Sequence, residues 1–169
     1  MIQAIVILVI AALVAVDQVI KLVVVKNLSD GGYVEALFGL LRFRYVENTG
    51  AAFSSLQNQT TFLTIFTLVV IAVILFILLT KKIKPGLMYW SLVVVVAGGL
   101  GNFIDRLFRG FVVDYIEPTF VNFAVFNFAD CCVTVGAALL IISTLYDMIK
   151  ENKAYLSDKK NGDSNNENG

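Results

Sequence analysis

The segment GGLGNFIDRLFRGFVVDYIEPTFVNFAVFNFAD, from Gly98 to Asp130, decides the fold because it sets ionisable residues beside apolar runs that can cross a membrane. It contains three aspartates, Asp105, Asp114 and Asp130. Ionisable groups inside or beside a membrane span are energetically expensive, so they mark candidate functional sites. We therefore expect Asp114 and Asp130 to form the reactive centre of a membrane-embedded protein.

The composition of the whole chain is also that of a membrane protein. Of the 169 residues, 58% are hydrophobic and only 15% are charged, against about 25% charged in a soluble domain. Thirteen basic and thirteen acidic residues cancel, so nothing points to a nucleic-acid partner. The absence of histidine excludes Ser-His-Asp and Cys-His catalysis and any zinc site that uses histidine. We expect no metal and no cofactor.

Apolar runs predict four membrane-spanning helices, each close to the roughly 20 residues that a bilayer needs. The first has neither the basic start nor the cleavage site of a signal peptide, so we expect it to be retained. The predicted fold is an all-α bundle of four transmembrane helices in one domain, residues 1–150, followed by a disordered polar tail, residues 151–169. The expected spans are residues 2–25, 62–80, 87–107 and 124–148.

The lysines of the segment KKIKPG, which begins at Lys81, predict the orientation of these spans. Cytoplasmic loops are enriched in Lys and Arg, so this loop and both termini should be cytoplasmic. The loop of residues 26–61 then faces outward. Leu41, Phe43 and Tyr45 alternate in it with two arginines, which predicts a short strand whose apolar face rests on the membrane.

Asp17 and Lys21 lie in the first predicted span, four residues apart and therefore on one face of a helix. The acidic residue precedes the basic one, which is the order that favours pairing. We expect a structural ion pair in which the ammonium group of Lys21 reaches the membrane interface.

Asp114 follows the third span and Asp130 lies near the start of the fourth, so both carboxylates should meet at the outer membrane edge. Two carboxylates held close together cannot both ionise readily, and they share one proton. That state suits aspartic proteolysis, in which the ionised partner takes a proton from water and the protonated partner hydrogen-bonds the scissile carbonyl. Asn102, Asn127 and Arg106 would bind the substrate backbone.

Five blocks of the sequence together resemble lipoprotein signal peptidase, also called signal peptidase II, a family of bacterial four-span aspartic proteases. They occur in order from the first span to the fourth. The blocks are DQVIK at residues 17–21, NTGAAF at residues 48–53, GGLGNFIDR at residues 98–106, VVDYI at residues 112–116 and FNFAD at residues 126–130.

The resemblance implies an activity and a set of roles. Family members remove the signal peptide of a diacylglyceryl-modified prolipoprotein before its lipidated cysteine, and the first loop forms a small extracytoplasmic sheet and helix. The implied location is the bacterial cytoplasmic membrane, and the expected partners are the prolipoprotein and membrane lipids, with the chain itself a monomer. The implied residues are catalytic Asp114 and Asp130, substrate-binding Asn48, Asn102, Arg106 and Asn127, and supporting Asp17, Lys21, Gly50 and Asp105.

Three other interpretations remain open at this point. Asn48 precedes Thr49 and Gly50, and an asparagine there also suits a plain turn. Polar residues in a helix bundle also occur in small transporters and proton relays, although a pathway needs ionisable groups spread across the membrane. A Ser-Lys peptidase would use Ser54 or Ser55 with Lys21.

Overall fold

The computed structural model describes residues 1–50, 59–80 and 83–166, with side chains as far as residue 156. In these residues, four helices are long and apolar enough to cross a membrane, which confirms the expected helix bundle. The helices are α1 (Ile2–Leu28), α2 (Thr60–Leu79), α3 (Leu87–Arg109) and α4 (Phe128–Asn166), and the strands are β1 (Tyr33–Ala36), β2 (Leu41–Asn48) and β3 (Val112–Pro118).

Helix α3 is the centre of the bundle, because it packs against α1, α2 and α4. Half of its most apolar window is buried inside the protein, against 17% to 22% in the other helices. Glycines permit this close packing. A Cβ at Gly98 would collide with the carbonyl oxygen of Ala129, and a Cβ at Gly101 would lie 2.5 Å from Oδ2 of Asp17. The two glycines therefore let α4 and α1 approach the same end of α3.

The three strands form one antiparallel sheet in the order β1-β2-β3. Strands β1 and β2 come from the first loop, as expected, but β3 comes from the connection between α3 and α4. The expectation of a sheet confined to the first loop is therefore wrong. The run Val112, Val113, Asp114, Tyr115, Ile116 consists of β-branched and aromatic residues around one aspartate, which favours a strand.

The expectation that the apolar side chains of β2 rest on the membrane also needs correction. Phe43 and Tyr45 pack instead against a cluster inside the protein, where the end of α1 meets β3. This packing joins the sheet to the bundle. The buried members of that cluster are Val24, Val113 and Tyr115.

Helix α4 begins at Phe128 rather than near residue 124, because Phe126 still pairs with Ile116 of β3 through backbone hydrogen bonds. It also continues past residue 148 to Asn166, through the segment that we expected to be disordered. No proline follows Pro118 in the chain, so nothing in this stretch removes a backbone donor from the helix. Ser54, Ser55, Lys81 and Lys82, together with residues 51–53 of the NTGAAF block, lie outside the described residues.

Candidate functional site

Asp114 on β3 and Asp130 in the first turn of α4 line the same cavity, which has a volume of about 940 Å³. Asn48, Asn102 and Arg106 line it as well. The chain therefore brings residues from β2, α3, β3 and α4 to one place. This arrangement agrees with the expectation that the two carboxylates meet, although 16 positions of sequence separate them.

Three asparagine side chains hold the two carboxylates. Asn48 donates from Nδ2 to Oδ2 of Asp114 over 2.8 Å, and Asn127 donates to Oδ1 of the same carboxylate over 2.6 Å. Asn102 donates to Oδ1 of Asp130 over 2.7 Å, and its own oxygen lies 3.1 Å from Nδ2 of Asn127. A continuous chain of amide contacts therefore connects Asp114 to Asp130.

Asp130 is also fixed by the start of its own helix. Its backbone N–H donates to Oδ1 of Asn127 over 2.9 Å, and the backbone N–H of Asn127 donates to Oδ2 of Asp130 over 3.1 Å. This reciprocal pair is a capping box in which aspartate replaces the usual Glu or Gln three residues after the cap. Sequence reasoning missed it, although the pattern NFAD at residues 127–130 carries the signal.

The remaining backbone donors in the first turn of α4 find partners on other elements. The N–H of Phe128 donates to the hydroxyl oxygen of Tyr115 over 3.1 Å, and the N–H of Ala129 donates to Oδ1 of Asp17 over 3.0 Å. A helix leaves its first N–H groups without partners of its own. Here β3 and α1 supply the acceptors, so the start of α4 cannot move independently of them.

A buried ion cluster lies behind the cavity. Nζ of Lys21 is 2.9 Å from Oδ2 of Asp17 and 2.8 Å from Oδ2 of Asp105, and it donates to Oδ1 of Asn102 over 2.9 Å. The pairing of Asp17 with Lys21 is confirmed, but the expected position of Lys21 at the interface is wrong, since its side chain is 0% exposed. The second carboxylate and the amide keep the ammonium group inside, because together the three groups use its three donors.

Asp105 and Gln18 connect this cluster to the backbone around the site. Oδ2 of Asp105 accepts the backbone N–H of Val113 over 3.1 Å, immediately before Asp114. Nε2 of Gln18 lies 3.1 Å from both Oδ2 of Asp17 and the carbonyl oxygen of Gly101. Gln18 was absent from the predicted site, although it stands within the DQVIK block.

Arg106 and Gly50 meet at the rim of the cavity. Nη2 of Arg106 donates to the carbonyl oxygen of Gly50 over 3.2 Å, and the N–H of Gly50 donates to Oδ1 of Asn48 over 2.9 Å. Asn48 is therefore both a turn residue and a hydrogen-bond donor to Asp114. Nε of Arg106 is buried and has no hydrogen-bond partner among the described residues.

Asp114 has the electrostatic character of a proton-exchanging group. Its burial raises the pKa of its carboxyl group from 3.8 to about 6, and the nearby Asp130 acts in the same direction, whereas the bonds from Asn48 and Asn127 oppose the rise. A carboxyl group with such a pKa can hold or release a proton near neutral pH, as acid–base catalysis requires. No cluster of three or more potential metal-ligating Cys, Asp or Glu residues occurs in the described part of the chain.

Comparison with known proteins identifies relatives along most of the chain. A family model described as signal peptidase (SPase) II matches residues 9–146. A protein named lipoprotein signal peptidase from Streptococcus thermophilus (strain CNRZ 1066) is 44% identical over 133 residues, which cover 79% of this chain and 87% of that protein. A protein of the same name from Streptococcus pneumoniae (strain ATCC BAA-255 / R6) is 38% identical over 89% of this chain and 98% of its own length.

Two solved structures have a similar fold. One is a bacterial membrane enzyme determined by the in meso method at 2.3 Å resolution, with a TM-score of 0.75 and 34% identity over 86% of this chain and 90% of that chain. The other, at 1.9 Å resolution, has a TM-score of 0.72 and 33% identity over 85% of this chain and 94% of that chain.

Proposed function

We propose, from the premise that the chain belongs to the signal peptidase II family, that Asp114 and Asp130 are its catalytic carboxylates. Membership makes the chain a membrane-embedded aspartic protease that removes signal peptides from prolipoproteins. In bacteria such an integral membrane protein lies in the cytoplasmic membrane. The observation that carries the proposal is that both carboxylates line one cavity and are joined by a chain of amides.

The proposed reaction needs only these two groups and a water molecule. The ionised carboxylate accepts a proton from the water molecule as the water oxygen attacks the scissile carbonyl carbon. At the same time the protonated carboxyl group donates a hydrogen bond to the carbonyl oxygen. The resulting tetrahedral intermediate collapses when the carbon–nitrogen bond breaks and the nitrogen takes a proton from the pair. The products are a new carboxylic acid and a free amine, and the pair returns to its singly protonated state.

The contacts of the asparagines and the arginine support two different roles. Asn127 is fully buried and its amide already contacts Asp114 and Asn102, so we assign it to positioning the carboxylates. Arg106 lines the cavity with an unpartnered Nε among the described residues, which suits binding a carbonyl oxygen of the peptide. Asn48 also lines the cavity and can contact substrate beside Asp114.

We further propose that cleavage occurs before a cysteine that carries a diacylglyceryl group. The cavity wall includes Val133 and Val135 of α4, which offer an apolar surface for acyl chains. Each acyl methylene group buried there contributes about 0.8 kcal/mol to the binding free energy.

The orientation in the membrane is part of the same proposal. Lys84 precedes α3 and so stands at the opposite end of that helix from Asn102. By the positive-inside rule, this would put both termini in the cytoplasm and the cavity at the extracytoplasmic face. We expect the monomer to be active, because every residue of the proposed site comes from one chain.

No observation favours the two alternative functions. In the described residues, the buried ionisable side chains Asp17, Lys21, Asp105 and Asp114 lie in the cavity wall or directly behind it, whereas a transport pathway needs such groups across the membrane. A Ser-Lys mechanism needs a lysine that accepts a proton. The side-chain nitrogen of Lys21 is committed to three acceptors, which leaves it no free position for accepting a proton from a serine.

The test is to change each carboxylate alone. Asp114→Asn and Asp130→Asn should each lower cleavage of a lipidated precursor by at least about 10³-fold, and the double variant should be little worse because the pair acts as a unit. Asp30→Asn, at an exposed turn, is the matched control and should keep full activity. Thermal melting in detergent shows whether each variant is folded. Near-normal turnover in a folded single variant would refute the assignment, and loss of activity in Ser54→Ala or Ser55→Ala would point to a serine mechanism.

A further inference from the structure

A second cavity, of about 630 Å³, lies at the other end of the bundle, between the connection that precedes α3 and the middle of α4. Lys84, Gly86, Ser143, Tyr146 and Asp147 are among its lining residues. About 13 helical residues of α3, roughly 20 Å at 1.5 Å per residue, separate it from the carboxylate site. If the bundle spans a bilayer, this cavity is level with the opposite membrane surface.

The first turn of α3 faces this region with free backbone donors. Gly86 precedes the helix and provides no side-chain cap. The N–H groups of Leu87, Met88 and Tyr89 have no hydrogen-bond acceptor in the described part of the chain, and the first helical bond is that from Trp90 to Gly86. Such a helix terminus carries a partial positive charge and favours anions.

Ser143 gives independent evidence for a ligand. Its side chain lines the cavity and is 7% exposed, yet its hydroxyl has no hydrogen-bond partner among the described residues. Hydroxyls in a helix commonly bond the carbonyl four residues earlier. Thr144 does so with Leu140 over 2.9 Å, and Ser91 does so with Leu87 over 2.7 Å. Ser143 is therefore a nearly buried polar group in this cavity to which the described residues offer no partner.

We propose that this cavity binds the phosphate of a membrane glycerophospholipid headgroup. The ammonium group of Lys84, the hydroxyl of Ser143 and the free N–H groups of α3 supply a charge and several donors to one phosphodiester. Leu87 and Ile142 are exposed apolar residues at the same cavity, so the acyl chains can continue along them. Asp147 also lines the cavity. An acidic side chain repels a doubly charged phosphate ion more than a singly charged diester, which favours a lipid headgroup over free phosphate.

Native mass spectrometry of the full chain in detergent, titrated with phosphatidylethanolamine, tests the proposal. The wild type should bind one lipid in preference to further copies, and the double variant Lys84→Ala with Ser143→Ala should bind it roughly tenfold more weakly, since two polar contacts are lost. The control variants are Lys26→Ala, an exposed lysine in the last turn of α1, and Thr144→Ala, whose hydroxyl is already bonded within the helix. Both should bind like the wild type.

Two results would overturn the proposal. One is equal lipid affinity in the double variant and the controls. The other is complete displacement of the lipid by an equal concentration of inorganic phosphate, which would mean that the cavity recognises a free anion rather than a headgroup. Because neither lipid binding nor its loss depends on proteolysis, failure here leaves the assignment of Asp114 and Asp130 untouched.

Discussion

Two pairs of carboxylates, from α1, α3, β3 and α4, lie around the same end of α3 and differ in the groups that stand between their members. Asp17 and Asp105 have the ammonium group of Lys21 at 2.9 and 2.8 Å. Asp114 and Asp130 have only amide and backbone donors at hydrogen-bond distance among the described residues. The first pair lies behind the cavity wall, whereas the second lines the cavity.

This difference separates a structural role from a reactive one. A buried cation lies between the two carboxylates of the first pair, and these carboxylates accept the backbone N–H groups that hold the start of α4 and the start of β3. The second pair has no cation at salt-bridge distance among the described residues, so sharing one proton is the way in which it lowers its charge. Asn102 connects the two, because its oxygen accepts from Lys21 while its nitrogen donates to Asp130. The contact with Lys21 therefore fixes the orientation of the Asn102 amide, and this orientation directs its N–H group at Asp130.

The largest expected effect comes from removing the cation. Lys21→Met leaves Asp17 buried without a cation and leaves Asp105 with only Arg109, whose Nε lies 3.4 Å from Oδ1 of Asp105. By the usual estimate, breaking a buried pair costs about 3 to 5 kcal/mol of stability. We expect a greatly reduced yield of folded protein and a lower melting temperature in detergent. Lys26→Met, at an exposed position in the same helix, should melt like the wild type.

Asp17→Asn should be milder than Lys21→Met, because Lys21 keeps Asp105 and the amide oxygen of the new side chain can still accept the N–H of Ala129. Reduced protein levels with ordinary activity per folded molecule are expected. A normal level of protein with no activity would contradict the structural role and would place Asp17 among the reactive groups.

The next effect concerns the amide that joins the two pairs. Asn102→Leu removes the donor to Asp130 and one acceptor of Lys21, so we expect kcat for lipidated precursor to fall by about 10²-fold while KM changes little. Asn122→Leu is the matched control, since this asparagine lines the same cavity but stands outside the amide chain, and it should retain most of kcat. Equal losses in the two variants would show that Asn102 has no special connection to the pair.

A smaller effect should appear in the pH dependence. Asn48 donates to the ionised form of Asp114 and so lowers the pKa of its carboxyl group. Asn48→Ala removes this bond, so the pKa of about 6 should rise and Asp114 should stay protonated to a higher pH. If Asp114 carries the shared proton, the alkaline limb of kcat/KM shifts upward by roughly 0.5 to 1 pH unit. A downward shift, or an unchanged limb, would contradict that assignment.

The smallest effect should follow a change far from both pairs. Phe38 lies in the turn between β1 and β2, is fully exposed and has a φ of 57°. Phe38→Ser should raise KM for lipidated precursor no more than about threefold and leave the melting temperature unchanged, because it removes membrane contact rather than core packing. Phe43→Ser, within the cluster beneath the sheet, should instead lower the melting temperature.

How much of this site was predictable depends on the distance over which each contact acts. The pairing of Asp17 with Lys21 follows from a spacing of four residues on one helix. Asp105 was expected only in a supporting role, because its contact with Lys21 depends on how α1 packs against α3, and no local pattern encodes that. The four helices were predictable from apolar length, since a bilayer imposes that length directly.

The errors have local physical causes. Strand β3 was overlooked because Asp114 interrupts its apolar run, although the flanking Val113 and Tyr115 favour a strand. The capping box of Asn127 and Asp130 was readable from four consecutive residues, but both side chains were interpreted as groups that serve substrate and catalysis rather than as a helix start. Lys21 was expected at the interface because a single helix offers it only one carboxylate, whereas the folded chain offers two.

The cavity wall formed by α4 has a consequence for how any ligand arrives. Val135 is an apolar residue of the α4 span that lines the cavity and is 53% exposed. The cavity therefore opens through the side of the bundle, into the region where lipid would lie. A molecule dissolved in the bilayer can then enter by lateral diffusion, in two dimensions, without first passing through water. The concentration that governs occupancy is the one within the membrane, so the apparent potency of an inhibitor should fall as the lipid-to-protein ratio rises and dilutes it.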